Sequence, residues 1–387
     1  MPGLPLADVR VIEFCNVAAG PFCGMLLADM GADVIKIEKP QGDDLRHWPP
    51  ITDGFSENFA SLNRNKRSVV LDLKNPEHRE RAFALCASAD VVLENNRPGV
   101  MDRLGLGHAQ LSAANPKLVY CSISAYGQSG PYAQQGGFDL TIQGISGIMS
   151  VTGEPGGAPV KCGVPVSDFS AGLYGAFSIV SALKQARESG EGAHVDISML
   201  GASLGIAALQ TSELFGSGND PRPLGSAHPR NAPYQAFKAR DGYFVMAAGN
   251  DRLWRGVCEA LARKDLAADP RFASTALRAS NQTALKDLLE AQFADHDCAE
   301  LIERFSAVGV PCGPINGYGA ALEHPQVQHF GWVQPLTLPG GHQTRTFASP
   351  IVINGESAPI RRPPPTLGEH NAELERKLDA RPGTDDP

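Results

Sequence analysis

The first half of the chain alternates short β-branched apolar runs with stretches of helical periodicity, and nothing else in the sequence restricts the fold as strongly. Runs at 9–14, 33–37, 68–73, 90–94 and 118–124 read as buried strands, and helices are expected over 21–30, stopped by Gly31, and over 76–89. Strands separated by helices pair in parallel through crossovers, and the helices then cover both faces of the sheet. A longer helix is expected from Phe169 to about Arg187, where Phe169, Leu173, Ala176, Val180 and Leu183 recur at helical spacing behind Asp168, followed by a strand over 194–199.

The fold class expected is α/β, with a large Rossmann-like domain around a mainly parallel sheet and a smaller α+β domain. At 387 residues the chain exceeds what one core usually organises. Residues 1–216 read as the first part of the large α/β domain, and 217–233, rich in Gly, Pro, Ser and Asn, as a linker. Residues 234–325 read as the small α+β domain, with a hairpin loop at 238–242 and helices at 251–262, 281–293 and 298–308. Residues 326–387 return to the large domain and end in a polar tail after Pro363, Pro364 and Pro365.

A net charge of -8 argues against a nucleic-acid partner, since phosphate backbones are held by clustered Lys and Arg. No run reaches the roughly 20 uninterrupted apolar residues of a membrane span, and no basic-then-apolar leader opens the chain, so a cytoplasmic protein without a membrane partner is expected. The eight cysteines are scattered without Cys-x-x-Cys or zinc-ligand spacing and read as reduced, with no metal. Neither a phosphate-binding Gly-Lys-Ser/Thr loop nor a Gly-x-Gly-x-x-Gly after the first strand is present. Gly201-Ala202-Ser203-Leu204-Gly205 matches a nucleophile elbow, but the run over 199–209 reads as continuous helix, and the match is read as chance.

Asp168 stands out within Gly163-Val164-Pro165-Val166-Ser167-Asp168-Phe169, a turn that delivers a carboxylate to a helix start. The positive end of the helix dipole favours the ionised form there, and a carboxylate can attack a thioester to give a mixed anhydride. An aspartate in that place is, on this feature alone, more readily an ordinary N-cap than a nucleophile. Lys39, Arg46, Lys66, Arg67, Arg97 and Arg103 lie near the carboxyl ends of expected strands, where clefts of parallel sheets open, and could meet the phosphates of a coenzyme A ligand.

Read in order, Val11-Ile12-Glu13-Phe14, Leu27 to Glu38, Asn63-Arg64-Asn65-Lys66-Arg67-Ser68, Glu94-Asn95-Asn96-Arg97-Pro98-Gly99, Gly137-Phe138-Asp139, the Asp168 segment, Asp269-Pro270-Arg271-Phe272 and Gly309 to Pro314 resemble the class III CoA-transferase family. The resemblance implies an interlocked homodimer with its active site at the interface of the large and small domains. It further implies Asp168 as a nucleophile passing through anhydride and aspartyl-CoA intermediates, an acyl-CoA and a small carboxylic acid as substrates, and no cofactor beyond the CoA thioester itself. Asn16, Ala18, Trp48, Phe138, Asp139, His228 and Gly249 fall where substrate contacts are implied. The block around Gly225 to His228 and Pro233 to Phe237 is similar to the branch using succinyl-CoA and small dicarboxylates, whose second carboxylate Arg46, His228 or Arg230 could anchor. The alternative is a 2-methylacyl-CoA racemase of the same fold, but Phe138 stands where those enzymes carry a histidine, and phenylalanine cannot carry a proton.

Overall fold

A computed structural model describes residues 4–373 of the chain. Two compact units emerge: one takes residues up to 148, 161–218 and those from 325 onward, and the other takes 149–160 and 219–324. The expected terminal tail falls largely beyond residue 373, outside the described residues.

The first unit is built on a six-stranded, wholly parallel sheet. Its strands are β1 (Arg10–Phe14), β2 (Asp33–Glu38), β3 (Lys66–Val70), β4 (Val91–Glu94), β5 (Val119–Ser124) and β6 (Ala193–Ser198). Their spatial order is β3-β2-β1-β4-β5-β6, with Val11 paired to Val34 on one side and to Val91 on the other. Strand order therefore reverses between β1 and β4, and such a reversal opens a crevice beyond the carboxyl ends of those two strands. The continuous burial of β5 follows from helices on both faces of the sheet. One apolar cluster packs Val11, Val34, Val91 and Val119 under α1 (Ala19–Asp29), and a second packs Ile12, Ile35 and Val92 under α2 (Pro76–Ala87).

Strand β3 starts two residues earlier than the apolar pattern indicates, because Lys66 and Arg67 belong to it. Lys66 is fully buried and its Nζ meets Glu13 Oε2 at 2.9 Å, the Pro21 carbonyl at 2.8 Å and Asn63 Oδ1 at 3.0 Å. Glu13 also binds Lys36, whose Nζ reaches Asp43 Oδ2 at 2.8 Å and the Cys15 carbonyl at 2.7 Å. Burial alone would discharge Lys36, but Glu13 and Asp43 outweigh it and hold the ammonium above its usual range. Apolar periodicity starts the strand only after Lys66 and Arg67, whereas the partner that neutralises Lys66 lies on β1.

Three helices follow α3 (Asp139–Ile145): α4 (Val166–Ser189), α5 (Met199–Ile206) and α6 (Ala208–Ser217). The chain turns at Ala207, so the expected continuous helix over 199–209 is two helices. Helix α4 begins three residues before the expected start and ends at Gly190, which takes a left-handed conformation (φ 80°). By length and composition α4 is apolar enough to cross a membrane, although polar residues interrupt it along its length; one face, with Ala171, Gly172, Gly175, Ile179 and Leu183, is buried.

In the second unit, strands β7 (Tyr234–Lys238), β8 (Tyr243–Ala247) and β9 (Cys312–Pro314) form an antiparallel sheet, and Phe237, Phe244, Phe293, Phe305 and Trp254 fill its core. The stretch over 217–233, expected as a linker, is largely part of this unit: Ala232 is buried, the His228 N–H donates to the Tyr234 carbonyl, and the Ser226 hydroxyl accepts the Ala236 N–H. Residues 149–160, expected in the large domain, join it through the Gly225 N–H bond to Gly153. A Gly, Pro, Ser and Asn composition reports tight turns, and turns can be as well bonded as strands.

Candidate active site

The site is assembled at the carboxyl edge of the large sheet. Asn16, after β1, donates its N–H to Asn95 Oδ1, and Asn95 returns its amide to the Asn16 carbonyl, so the loops on either side of the strand reversal are tied together. Val17 follows with φ 66°, a conformation that a β-branched residue takes only under constraint; the Asp43 carboxylate holds its N–H at 3.1 Å. Beside this tie lies a cavity of about 190 Å³, lined by Asn95, Asn96, Arg97 and Pro98 after β4, Ser124 and Ala125 at the end of β5, and Gln135 to Phe138.

Asp139 follows Phe138 and opens α3. Its Oδ1 accepts the Ser167 N–H at 2.9 Å and its Oδ2 accepts Gln143 Nε2 at 2.6 Å. Gln143 is fully buried and its Oε1 accepts the Cys162 N–H at 2.8 Å. Asp168 is the third residue of α4, whose N-cap position, Pro165, supplies no side-chain bond. Among the described residues no hydrogen bond or ion pair engages the Asp168 carboxylate, so it does not serve as the cap. The Phe169 ring rests on Phe22 at 4.6 Å, and a Cβ at Gly172 would lie 2.8 Å from the Ala19 carbonyl. Only glycine permits α4 to approach α1 this closely, next to the residue that delivers the carboxylate.

Asp168 titrates at about 7, raised by burial and then by the negative charge of Asp139. The helix dipole was expected to favour ionisation, and the opposite prevails. A helix end contributes about 0.3–1 kcal/mol, less than the desolvation of a buried carboxylate. Glu94, at the end of β4, is likewise raised to about 7 by burial, although the Asn96 N–H donates to it at 2.8 Å. The sequence carries no signal for this second poised carboxylate, which reads there as the last residue of a strand.

Of the cations expected to meet coenzyme A, three are consumed by the fold. Arg46 makes a two-point bond to Glu38 at 2.8 and 2.6 Å, lies over the Phe59 ring and donates to the Pro365 carbonyl, which removes it also as a dicarboxylate anchor. Lys66 is sealed against Glu13, and Arg67 is held by Asp33 and Glu373. Lys39 is half exposed and paired to Asp44 at 2.7 Å. Arg97 and Arg103 are exposed, and Arg97 lines the cavity.

The expected substrate contacts divide similarly. Asn16 spends its side-chain amide on Asp44, Ala18 precedes α1 and accepts the Phe22 N–H, and Trp48 and Phe138 are exposed, Phe138 to 76%. Both oxygens of Asp139 are occupied by Ser167 and Gln143, which gives it an internal role in place of the expected substrate contact. His228 and Gly249 belong to the second unit. His228 Nδ1 accepts the N–H groups of Arg230 and Asn231, leaving Nε2 as the protonated nitrogen, and burial and the Arg230 charge lower its pKa.

Comparison with known proteins then decides the family: the description "CoA-transferase family III" matches residues 6–371. The chain belongs to CoA-transferase family III. Among family III enzymes it is 39% identical to the succinate–glutarate CoA-transferase of Agrobacterium fabrum, over 97% of this chain and 96% of that one. It is 37% identical to the acetyl-CoA:oxalate CoA-transferase of Acetobacter aceti, over 98% and 97%. The crystal structure of a CaiB/BaiF family protein from Brucella suis superposes with a TM-score of 0.87 at 38% identity, covering 97% of this chain and all of that one. As a family III CoA-transferase this protein is an enzyme acting at a thioester, and the isomerase alternative finds no support in these relatives.

Proposed function

We propose that this CoA-transferase moves coenzyme A from succinyl-CoA to a small dicarboxylic acid through a covalent intermediate on Asp168. One observation carries the reading: a partly buried carboxylate of raised pKa, in the first turn of α4, with no hydrogen-bond or ion-pair partner among the described residues. In the first step an Asp168 oxygen bonds to the thioester carbonyl carbon, the C–S bond breaks, and CoA leaves as thiolate, giving an aspartyl-succinyl anhydride. The thiolate attacks the aspartyl carbonyl, releasing succinate and leaving an aspartyl-CoA thioester. The acceptor carboxylate displaces CoA thiolate to form a second anhydride. Thiolate attack on its acceptor carbonyl regenerates the Asp168 carboxylate and releases the new thioester. The cycle needs no further cofactor.

Arg97, exposed in the cavity at the end of β4, is the cation best placed to meet a phosphate of coenzyme A, with Arg103 nearby in sequence on a short helix. The dicarboxylate assignment is supported by the likeness to the succinate–glutarate enzyme, and the oxalate enzyme of similar identity is its direct competitor. A homodimer is supported by the exposed apolar side of α4 and α6, where Phe177 is 72% and Phe215 83% exposed.

The test is incubation of the enzyme with succinyl-CoA alone, followed by mass analysis of peptides containing Asp168. An adduct at that residue, absent from Asp168→Ala along with nearly all turnover, is the expected result. Turnover surviving in Asp168→Ala would end the aspartyl reading, and fast exchange with oxalate but none with four- to six-carbon dicarboxylates would end the acceptor assignment.

A further inference from the structure

The turn that presents Asp168 is clamped at both ends to α3. At its start the Cys162 N–H is held by Gln143 Oε1 at 2.8 Å, and at its finish the Ser167 N–H is held by Asp139 Oδ1 at 2.9 Å. The two anchors are joined by the 2.6 Å bond from Gln143 Nε2 to Asp139 Oδ2. Gln143 is fully buried, so its amide has one orientation that satisfies both neighbours: nitrogen toward the carboxylate, oxygen toward the N–H. Asp139 thus accepts a first-turn N–H of α4, the task an N-cap side chain usually performs and Pro165 has no side-chain acceptor for.

We infer that Asp139 is a positioning residue for the transferase reaction, holding the 162–167 turn through Gln143 and supplying the N-terminal cap of α4 that Pro165 cannot, while both Asp168 oxygens stay uncommitted for attack on the thioester. This rests on the aspartyl reading above and adds a second consequence. An anionic neighbour makes the nucleophile more basic than burial alone would, and a more basic carboxylate attacks a thioester faster once ionised.

The other elements packed on α4 offer no competing charge. Helix α5 and strand β5 carry no ionisable acid or base except the β5 cysteine and tyrosine, and the only charge of α1, Asp29, is bound by Arg64 at 2.6 Å. On β6, His194 bonds the Ser122 hydroxyl and Asp196 accepts the Gln128 N–H. On α4 itself the remaining charges, Lys184, Arg187 and Glu188, lie in its last turns.

The experiment measures single-turnover adduct formation from succinyl-CoA against pH in the full-length enzyme. Asp139→Asn removes the charge and breaks the bond from Gln143. Its alkaline plateau should fall about tenfold or more, and its acidic limb should move to lower pH by about half a unit or more. Gln143→Ala keeps the charge and loosens the turn, so its plateau should fall while the limb stays in place. Asp139→Glu, which keeps the charge, should restore the limb but not the full plateau. Wild-type plateau and limb in both Asp139→Asn and Gln143→Ala would overturn the inference, and if Asp139→Asn does not fold, a wild-type plateau in Gln143→Ala alone overturns it. Should these variants behave as wild type while Asp168→Ala is inactive, only the clamp falls. An active Asp168→Ala removes the aspartyl reading beneath it.

Discussion

The hydroxyl of Ser203 donates to the hydroxyl of Ser167 at 2.8 Å, and both side chains are fully buried. The centre of the Gly-x-Ser-x-Gly match is therefore a packing bond behind the first turn of α4, out of reach of any substrate. Ser203→Ala should keep turnover within about threefold and lower stability by about 1 kcal/mol, the usual worth of such a bond. Steady-state kinetics and denaturant unfolding check both, and a hundredfold loss of turnover would return Ser203 to the list of nucleophiles.

Asp168 is stabilised by losing its charge. Its folded pKa of about 7 lies above the unfolded carboxylate value, so the folded state binds the proton more tightly. The residue is neutral for stability below the unfolded pKa and increasingly destabilising as pH rises from there to about 7. Asp168→Asn should accordingly raise stability at pH 8, by about 2 kcal/mol after solvent screening, and leave it unchanged near pH 4. Thermal melts of the two proteins at both pH values read this out; a gain equal at both would show that the charge is not its source.

Arg97 and Arg46 should separate cleanly as ligand contact and structural strut. Arg97→Ala is expected to raise the KM for acyl-CoA about tenfold with an unchanged melting temperature, because it removes an exposed cation from the cavity wall. Arg46→Ala removes the two-point cation partner of the buried Glu38 carboxylate, which keeps the Ser68 hydroxyl and the Asp43 N–H, and should cost about 2–3 kcal/mol of stability, with little change in KM in the enzyme that remains folded. The reverse pattern would transfer the phosphate role to Arg46.

Glu13→Gln tests the charged centre of the sheet. Lys36 would retain Asp43, but Lys66 would lose its only carboxylate partner among the described residues while fully buried. A loss of about 3–5 kcal/mol in urea unfolding is expected, and a loss below about 1 kcal/mol would show that the network contributes no net stability.

The parallel character of the sheet was legible in local patterning, though its strand order was not. Six apolar runs with helical spacing between them leave few alternatives to parallel pairing, because crossover connections and buried strand faces are properties of adjacent residues. The sequence also singled out Asp168, since a carboxylate at a helix start is a local pattern. Strand β3 shows where such reading stops: Lys66 lies ahead of the apolar run, yet it opens the strand because Glu13, 53 positions away, compensates its charge. Which cations remain available was set by the folded chain, through bonds as distant as that from Arg46 to Pro365, and so was the capping of α4 by Asp139 where Pro165 offers no acceptor. Periodicity is written in neighbours along the chain, whereas desolvation and charge pairing are set by whatever the fold brings alongside, and these fix the state of a catalytic carboxylate.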